Sequence, residues 1–173
     1  MGSITLITGG ARSGKSGYAI ERAMAHRHPR RIFVATAQGL DDEMRARIEH
    51  HRATRAPAFE TVEEPLKVAA VMAGLEGRAD VVVLDCLTLW VSNLMAFHGG
   101  DTAVLAEADA LARVLREASY ASVIVTDEVG AGIVPDNPAS RRFRDLLGWM
   151  NQKVAKVADE VILMVAGLPL RVK

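Results

Sequence analysis

The stretch "ITLITGGARSGKS", residues 4–16, decides the fold of this chain. It opens on a short apolar, β-branched run, passes into a glycine-rich turn, and ends where helix-forming residues begin. Gly9, four further residues, then Gly14, Lys15 and Ser16 fit the phosphate-binding spacing G-x-x-x-x-G-K-[ST]. Glycines let the backbone curl so that successive N–H groups point at phosphate oxygens, and a helix that starts there adds its positive end. Residues 9–16 (Gly9, Gly10, Ala11, Arg12, Ser13, Gly14, Lys15 and Ser16) are therefore expected to bind nucleotide. Lys15 is expected at the β and γ phosphates, and Ser16 on Mg²⁺. A chance match in a glycine-rich turn would lack the strand before and the helix after.

Outward from this loop, apolar runs alternate with amphipathic stretches. "RIFVAT" (31–36), "DVVVLD" (80–85), "SVIVTD" (122–127) and "EVILMV" (160–165) are short and apolar on both sides of the pleat, as strands buried on both faces of a parallel sheet are. Leu105, Ala108, Leu111, Ala112 and Leu115 recur at helical spacing, as do Phe143, Leu146, Leu147, Met150, Val154 and Val157. The pattern predicts one α/β domain over 1–173, a mostly parallel sheet with helices on both faces. Such sheets bind ligands beyond the carboxyl ends of their strands, so the segments after residues 8, 36, 85 and 127 should share one rim.

Asp85 ends "VVVLD", where a carboxylate commonly serves Mg²⁺; as a rival reading it caps the helix that begins near Leu87. Asp127 and Glu128 follow "VIVT" and are read either as a base for a substrate hydroxyl or as turn residues.

The chain has 173 residues, 50% of them hydrophobic, with 21 Lys+Arg balancing 21 Asp+Glu. The zero net charge argues against a nucleic-acid partner. The one cysteine, Cys86, excludes an internal disulfide and reads as a small core residue. No apolar run approaches a membrane span, and the chain enters "SITLITGG" without a charged leader, so a soluble cytoplasmic domain is expected.

"DDEMRARIEHHR" (41–52) reads as a helix with Asp41 or Asp42 at its start. Met44, Ile48 and His51 share one face; Glu43, Arg47 and His50 share the charged one. Adjacent histidines diverge too far to hold one metal. By residue type alone, His51 borders the apolar face and His50 is solvated. Two features favour chemistry at His51: the helix starts at the ligand rim, and Arg52 and Arg55 stand just beyond it as phosphate donors. A neutral imidazole beside a polarised phosphate can attack phosphorus.

"TGGARSGKS" (8–16), "ATAQGLDDEMRARIEHHR" (35–52), "DCLTLWVSNL" (85–94), "TDEVGAGIVPDNPASRRFRDLLGWMNQKVA" (126–155) and "ADEVILMVAGLPLRVK" (158–173) together resemble the bifunctional adenosylcobinamide kinase / adenosylcobinamide-phosphate guanylyltransferase family over nearly the whole chain. The resemblance implies a RecA-like P-loop fold and a homotrimer. It implies phosphorylation of the adenosylcobinamide hydroxyl with ATP or GTP, then GMP transfer from GTP through a guanylyl-histidine. The family's histidine directly precedes a basic residue, which places it on His51. Its nucleotide contacts fall on residues 9–16, on Ala35, Thr36 and Ala37, on Arg52, Ala53, Thr54 and Arg55, and on Glu63 and Asp85. Where some relatives carry Asn, this chain carries Asp127. The corrinoid and the nucleotides are its expected partners, with Mg²⁺ as cofactor. A monofunctional P-loop kinase and a nucleotide-driven switch or motor are the competing readings.

Of the other features, "HRHPRR" (26–31) reads as a solvated helix end and "RRFR" (141–144) as a solvated helix face. Trp90 and Trp149 read as core or subunit contacts rather than a corrin-stacking surface, and His98 as a loop residue.

Overall fold

The structure, a computed structural model, describes residues 1–26, 30–46, 49 and 57–173. The elements run β1 (Ile4–Gly9), α1 (Lys15–Met24), β2 (Arg31–Ala35), β3 (Phe59–Glu63), α2 (Val68–Ala73), β4 (Val81–Asp85), α3 (Leu87–Phe97), α4 (Asp101–Glu117), β5 (Ala121–Val125), α5 (Pro138–Val157), β6 (Glu160–Val165) and β7 (Leu168–Arg171). Residues 42–46 are also helical.

The seven strands form one sheet in the order β3-β2-β4-β5-β1-β6-β7. All pairs are parallel except β6 with β7. The four apolar runs outside the phosphate loop became β2, β4, β5 and β6, and all six residues of β1 are buried. Alternation divides their side chains between two cores. Leu6, Ile32, Val34, Val82, Leu84 and Ile124 pack with Trp90, Leu94, Leu111 and Leu147, on the face covered by α2, α3, α4 and α5. Ile7, Phe33, Val81, Val83, Val123 and Val125 pack with Ala19 and Ala23 of α1 on the other. The two-sided arrangement read from the sequence is therefore present.

Two strands escaped the sequence reading. β3 is "FETVE" at one edge, with no residue fully buried, and β7 is "LPLR" at the other edge, exposed throughout. Edge strands need no apolar run, so hydrophobicity does not announce them.

The order reverses at β1, which has β5 on one side and β6 on the other, and a crevice forms at such a point beyond the strand ends. Register sets what lines it. Ala35 of β2 stands level with Glu63 of β3 and Asp85 of β4; Asp85 stands level with Val125, and Val125 with Ile7. The ends of β3, β2, β4, β5 and β1 thus make one rim.

Candidate active site

The loop after β1 takes its shape from its glycines. Gly9 has φ 151° and Gly14 has φ 93°, both in the left-handed half of backbone space. A Cβ on Gly9 would lie 2.5 Å from Met164 O, so the close approach of β6 also demands glycine there. Arg12, at φ 55°, completes the curl. Gly14 precedes α1 without any side-chain cap, which leaves the first N–H groups of that helix for an anion. The loop is braced from outside, because Gly167 N–H in the β6–β7 turn donates to Ser13 O at 3.1 Å.

Lys15 is 8% exposed, and its ammonium has three acceptors. These are Gly10 O at 2.6 Å, Ser13 Oγ at 3.5 Å and Asp127 Oδ1 at 2.7 Å. Asp127 is fixed from two helices: its N–H donates to Thr88 Oγ1 on α3 at 2.8 Å, and its carbonyl accepts from Asn151 Nδ2 on α5 at 3.1 Å. Asn151 Oδ1 also accepts from Thr126 Oγ1 at 2.7 Å, and Glu128 N–H donates to Gly9 O at 3.1 Å. The segment read as turn or base is thus locked to the phosphate loop, with Asp127 as the lysine's counter-charge.

Thr88 and Asn151 were missed in the sequence. One signal existed for Asn151: a polar side chain on the face of α5 that otherwise buries Leu147, Met150 and Val154.

Farther along the rim, the exits of β2 and β4 are tied together. Thr36 Oγ1 donates to Cys86 O at 2.7 Å and accepts from Cys86 N–H at 2.9 Å, while Thr36 N–H donates to Asp85 O at 3.2 Å. Asn93 Nδ2 holds Thr36 O at 2.8 Å and Pro65 O at 3.1 Å. Capping of α3 belongs to Cys86, whose Sγ accepts from Leu89 N–H at 3.5 Å, and not to Asp85. The cap reading of Asp85 is therefore corrected, and Cys86 is both core and cap. Burial first, and the Asp85 carboxylate second, push the Cys86 thiol up to about 12.

Two strand steps separate Asp85 from β1, roughly 10 Å, and four separate Glu63, roughly 19 Å. The expected nucleotide contacts therefore fall into two groups: the loop with Lys15, and the β2–β3–β4 exits with Ala35, Thr36, Ala37, Glu63 and Asp85. Glu63 lies too far from the loop to touch phosphates held there.

The helix after β2 begins as the sequence implied, with Asp41 Oδ1 accepting from Met44 N–H at 2.7 Å. His50, His51, Arg52, Ala53, Thr54 and Arg55 lie outside the described residues. Among the described residues no group of three or more His, Cys, Asp or Glu side chains is placed to hold a metal. Mg²⁺ needs no such cage. It keeps several waters and takes one or two protein oxygens beside phosphate, a set that the Ser16 hydroxyl and the Asp85 carboxylate fit by chemistry.

The remaining sequence features sort as follows. Trp90 is fully buried, with Nε1 donating to Leu66 O at 2.9 Å, whereas Trp149 is 46% exposed and is not core. "RRFR" is not a solvated face: Arg141 donates to Pro135 O and Asp136 O, Arg142 pairs with Asp101, and Arg144 Nη1 is buried. Arg31 caps the end of α1 through Ala23 O and His26 O, as a basic helix end should. His98 closes α3, edge-on to Phe97.

Residues 5–172 match the family described as cobinamide kinase / cobinamide phosphate guanyltransferase. The chain belongs to this family. It is 39% identical to the bifunctional adenosylcobalamin biosynthesis protein CobU of Escherichia coli (strain K12), over 97% of this chain and 98% of that one. It is 40% identical to the bifunctional adenosylcobalamin biosynthesis protein CobP of Pseudomonas aeruginosa, over 97% and 96%. Among solved structures it is similar to the RadB recombinase at 14% identity, with a TM-score of 0.56 over 93% of this chain and 73% of that one. That likeness carries the RecA-like P-loop fold alone.

Proposed function

We propose that this cobinamide kinase / cobinamide phosphate guanyltransferase works in two steps on one corrinoid, with a guanylyl-histidine on His51 between nucleotide and product. In the first step the adenosylcobinamide hydroxyl attacks the γ-phosphorus of ATP or GTP. Its proton leaves and the nucleoside diphosphate departs. In the second, an imidazole nitrogen of His51 attacks the α-phosphorus of GTP and expels pyrophosphate. A phosphate oxygen of adenosylcobinamide phosphate then displaces the histidine, giving adenosylcobinamide-GDP and free His51.

The observation that carries the reading is the buried Lys15 ammonium inside a glycine loop at the start of α1, in a chain that matches this family from end to end. Lys15 and the loop N–H groups orient the phosphates and take up charge as the bond to phosphorus breaks. Mg²⁺, when bound through Ser16 and Asp85, would supply charge neutralisation of the phosphates. Support for His51 comes from the family and from the sequence reading that carries it on the helix that begins, at Asp41, beyond the exit of β2.

The 173 residues are proposed to act as one P-loop domain, cytoplasmic, and as a homotrimer. The exposed apolar side chains of Leu168, Leu170 and Val172 at the β7 edge, and of Ile133 in the loop after β5, support subunit contacts. Among the described residues no helix is long and apolar enough to cross a membrane.

The test is product analysis. ATP and adenosylcobinamide should give adenosylcobinamide phosphate, and added GTP should convert it to the GDP adduct with release of pyrophosphate. Phosphate product that GTP never converts would reduce the protein to a kinase.

A further inference from the structure

Past the end of β5 at Val125, the chain is still held as a strand. Thr126 N–H donates to Ile7 O at 3.0 Å and Glu128 N–H to Gly9 O at 3.1 Å, both towards β1. Successive N–H groups of an extended chain point to opposite sides, so Asp127 N–H points the other way, towards β4. No strand receives it there. Asp85 is level with Val125, and beyond Asp85 the chain turns into α3. The hydroxyl of Thr88, in the first turn of α3, takes the place of the missing carbonyl and accepts from Asp127 N–H at 2.8 Å.

This bond decides where the Asp127 side chain goes. Side chains alternate along β5, with Ile124 in the core under α3, α4 and α5, and Val125 in the core under α1. Continued two residues, the alternation turns Thr126 to the α5 side, where its hydroxyl donates to Asn151 Oδ1 at 2.7 Å. It turns Asp127 to the α1 side, where Lys15 opens that helix. The outcome is the 2.7 Å pair between Asp127 Oδ1 and the Lys15 ammonium. Lys15 is also the cation that the β and γ phosphates of a nucleotide need. Carboxylate and phosphates compete for it, and Thr88 strengthens the carboxylate's side of the competition.

We propose that Thr88 is a positioning residue that sets triphosphate affinity, acting through Asp127 on Lys15. The proposal rests on the nucleotide reading of the phosphate loop and adds a control from outside the loop. While the loop is empty, the hydroxyl at position 88 keeps the counter-charge in register with the ammonium. An entering triphosphate displaces the carboxylate, which returns as the spent nucleotide leaves. Without the hydroxyl, Asp127 loses the hold on its backbone N–H, Lys15 is freer, and the triphosphate binds more tightly. A purely structural role for Thr88 gives the opposite sign, because a damaged site binds its ligand more weakly.

Equilibrium binding to the full chain tests this. Thr88→Val removes the hydroxyl at similar size, and Thr88→Ser restores it. Both are compared with the parent protein, with Asp127→Asn, and with Thr88→Val combined with Asp127→Asn, using GTP and GMP as ligands. Thr88→Val should bind GTP several-fold more tightly, the scale of one hydrogen bond. GMP, which has no β and γ phosphates for Lys15, should bind it as it binds the parent protein. Thr88→Ser should match the parent protein with both ligands. In the Asp127→Asn background, Thr88→Val should add no further tightening. Unchanged or weaker GTP binding by Thr88→Val would overturn the proposal. So would a tightening that GMP shares in full, or one that persists undiminished beside Asp127→Asn. If Thr88→Val does not fold, Thr88→Ala, which also lacks the hydroxyl, is read in the same way. A parent protein that binds neither GTP nor ATP would be a failure of the nucleotide reading instead.

Discussion

The Lys15 ammonium lies 2.7 Å from Asp127 Oδ1 while also donating to Gly10 O at 2.6 Å and approaching Ser13 Oγ at 3.5 Å. An ammonium has three hydrogens, so its donors are all engaged. A triphosphate entering the loop must take Lys15 from at least one of these acceptors. Asp127 is the charged one among them, and its backbone is pinned by Thr88 and Asn151. Asp127→Asn should therefore tighten nucleotide binding, on the order of tenfold, since the amide keeps the contact and drops a negative charge beside the phosphates. Lys15→Ala should lower turnover by about 10²-fold or more. Equilibrium binding of GTP checks the first and steady-state kinetics the second. Weaker GTP binding by Asp127→Asn would remove the counter-charge role. A large kcat loss at unchanged affinity would mark Asp127 as the kinase base.

Asp85 makes a different prediction, because β5 stands between it and the phosphate loop. Asp85→Asn should raise the Mg²⁺ concentration needed for half-maximal activity several-fold. Cys86 caps α3, so the substitution leaves the helix cap in place. A Mg²⁺ titration superposing on that of the parent protein would end the metal assignment.

Gly9→Ala tests the loop geometry. The new Cβ would meet Met164 O at 2.5 Å at a φ of 151°. Overpacking of this kind costs about 1–3 kcal/mol. The thermal midpoint should fall by several degrees, roughly 2–4 °C per kcal/mol at this chain length, and nucleotide binding should fall with it. A variant with the parental midpoint would show that β6 does not crowd the loop.

These residues show how far the sequence could be read. The loop was legible because its function requires particular residues at particular steps: Gly9 and Gly14 for backbone shape, Lys15 for charge. The buried strands were legible because both of their faces are covered, as "VVVLD" illustrates. β3 was hidden because an edge strand such as "FETVE" carries Glu60 and Glu63 in place of an apolar run. Asp127 was singled out as a base or a turn residue, and its pairing with Lys15, across 112 positions (127 less 15), comes only from the fold. Arg144 was misread as solvated because "RRFR" looks like any cationic helix turn. Only the packing of α5 against the loop after β5 distinguishes its third arginine.

Alkaline stability follows from two buried acids. The Cys86 thiol is pushed up to about 12 and the Tyr120 phenol is also raised, each chiefly by burial. From the ordinary thiol value of 9.0 upward the unfolded chain gives up its Cys86 proton while the folded chain keeps it. The unfolded state then binds fewer protons, so stability falls as pH rises. The contribution is fully present below about pH 9 and is lost progressively towards pH 12. Urea midpoints should drop across that window, and Cys86→Ala should show a shallower drop. Equal slopes in both proteins would assign the alkaline loss to other groups.

The central claim is that nucleotide chemistry passes through His51, and covalent labelling tests it most directly. The protein is incubated with GTP labelled at the α-phosphate and then denatured. The account predicts label retained on protein, lost in acid and kept in base as a phosphoramidate behaves, absent from His51→Ala and near normal in His50→Ala. His51→Ala should still form adenosylcobinamide phosphate from ATP, because γ-phosphoryl transfer needs no histidine nucleophile. Label that persists in His51→Ala but vanishes in His50→Ala, or a parent protein that never takes up label while making the GDP adduct, would contradict it.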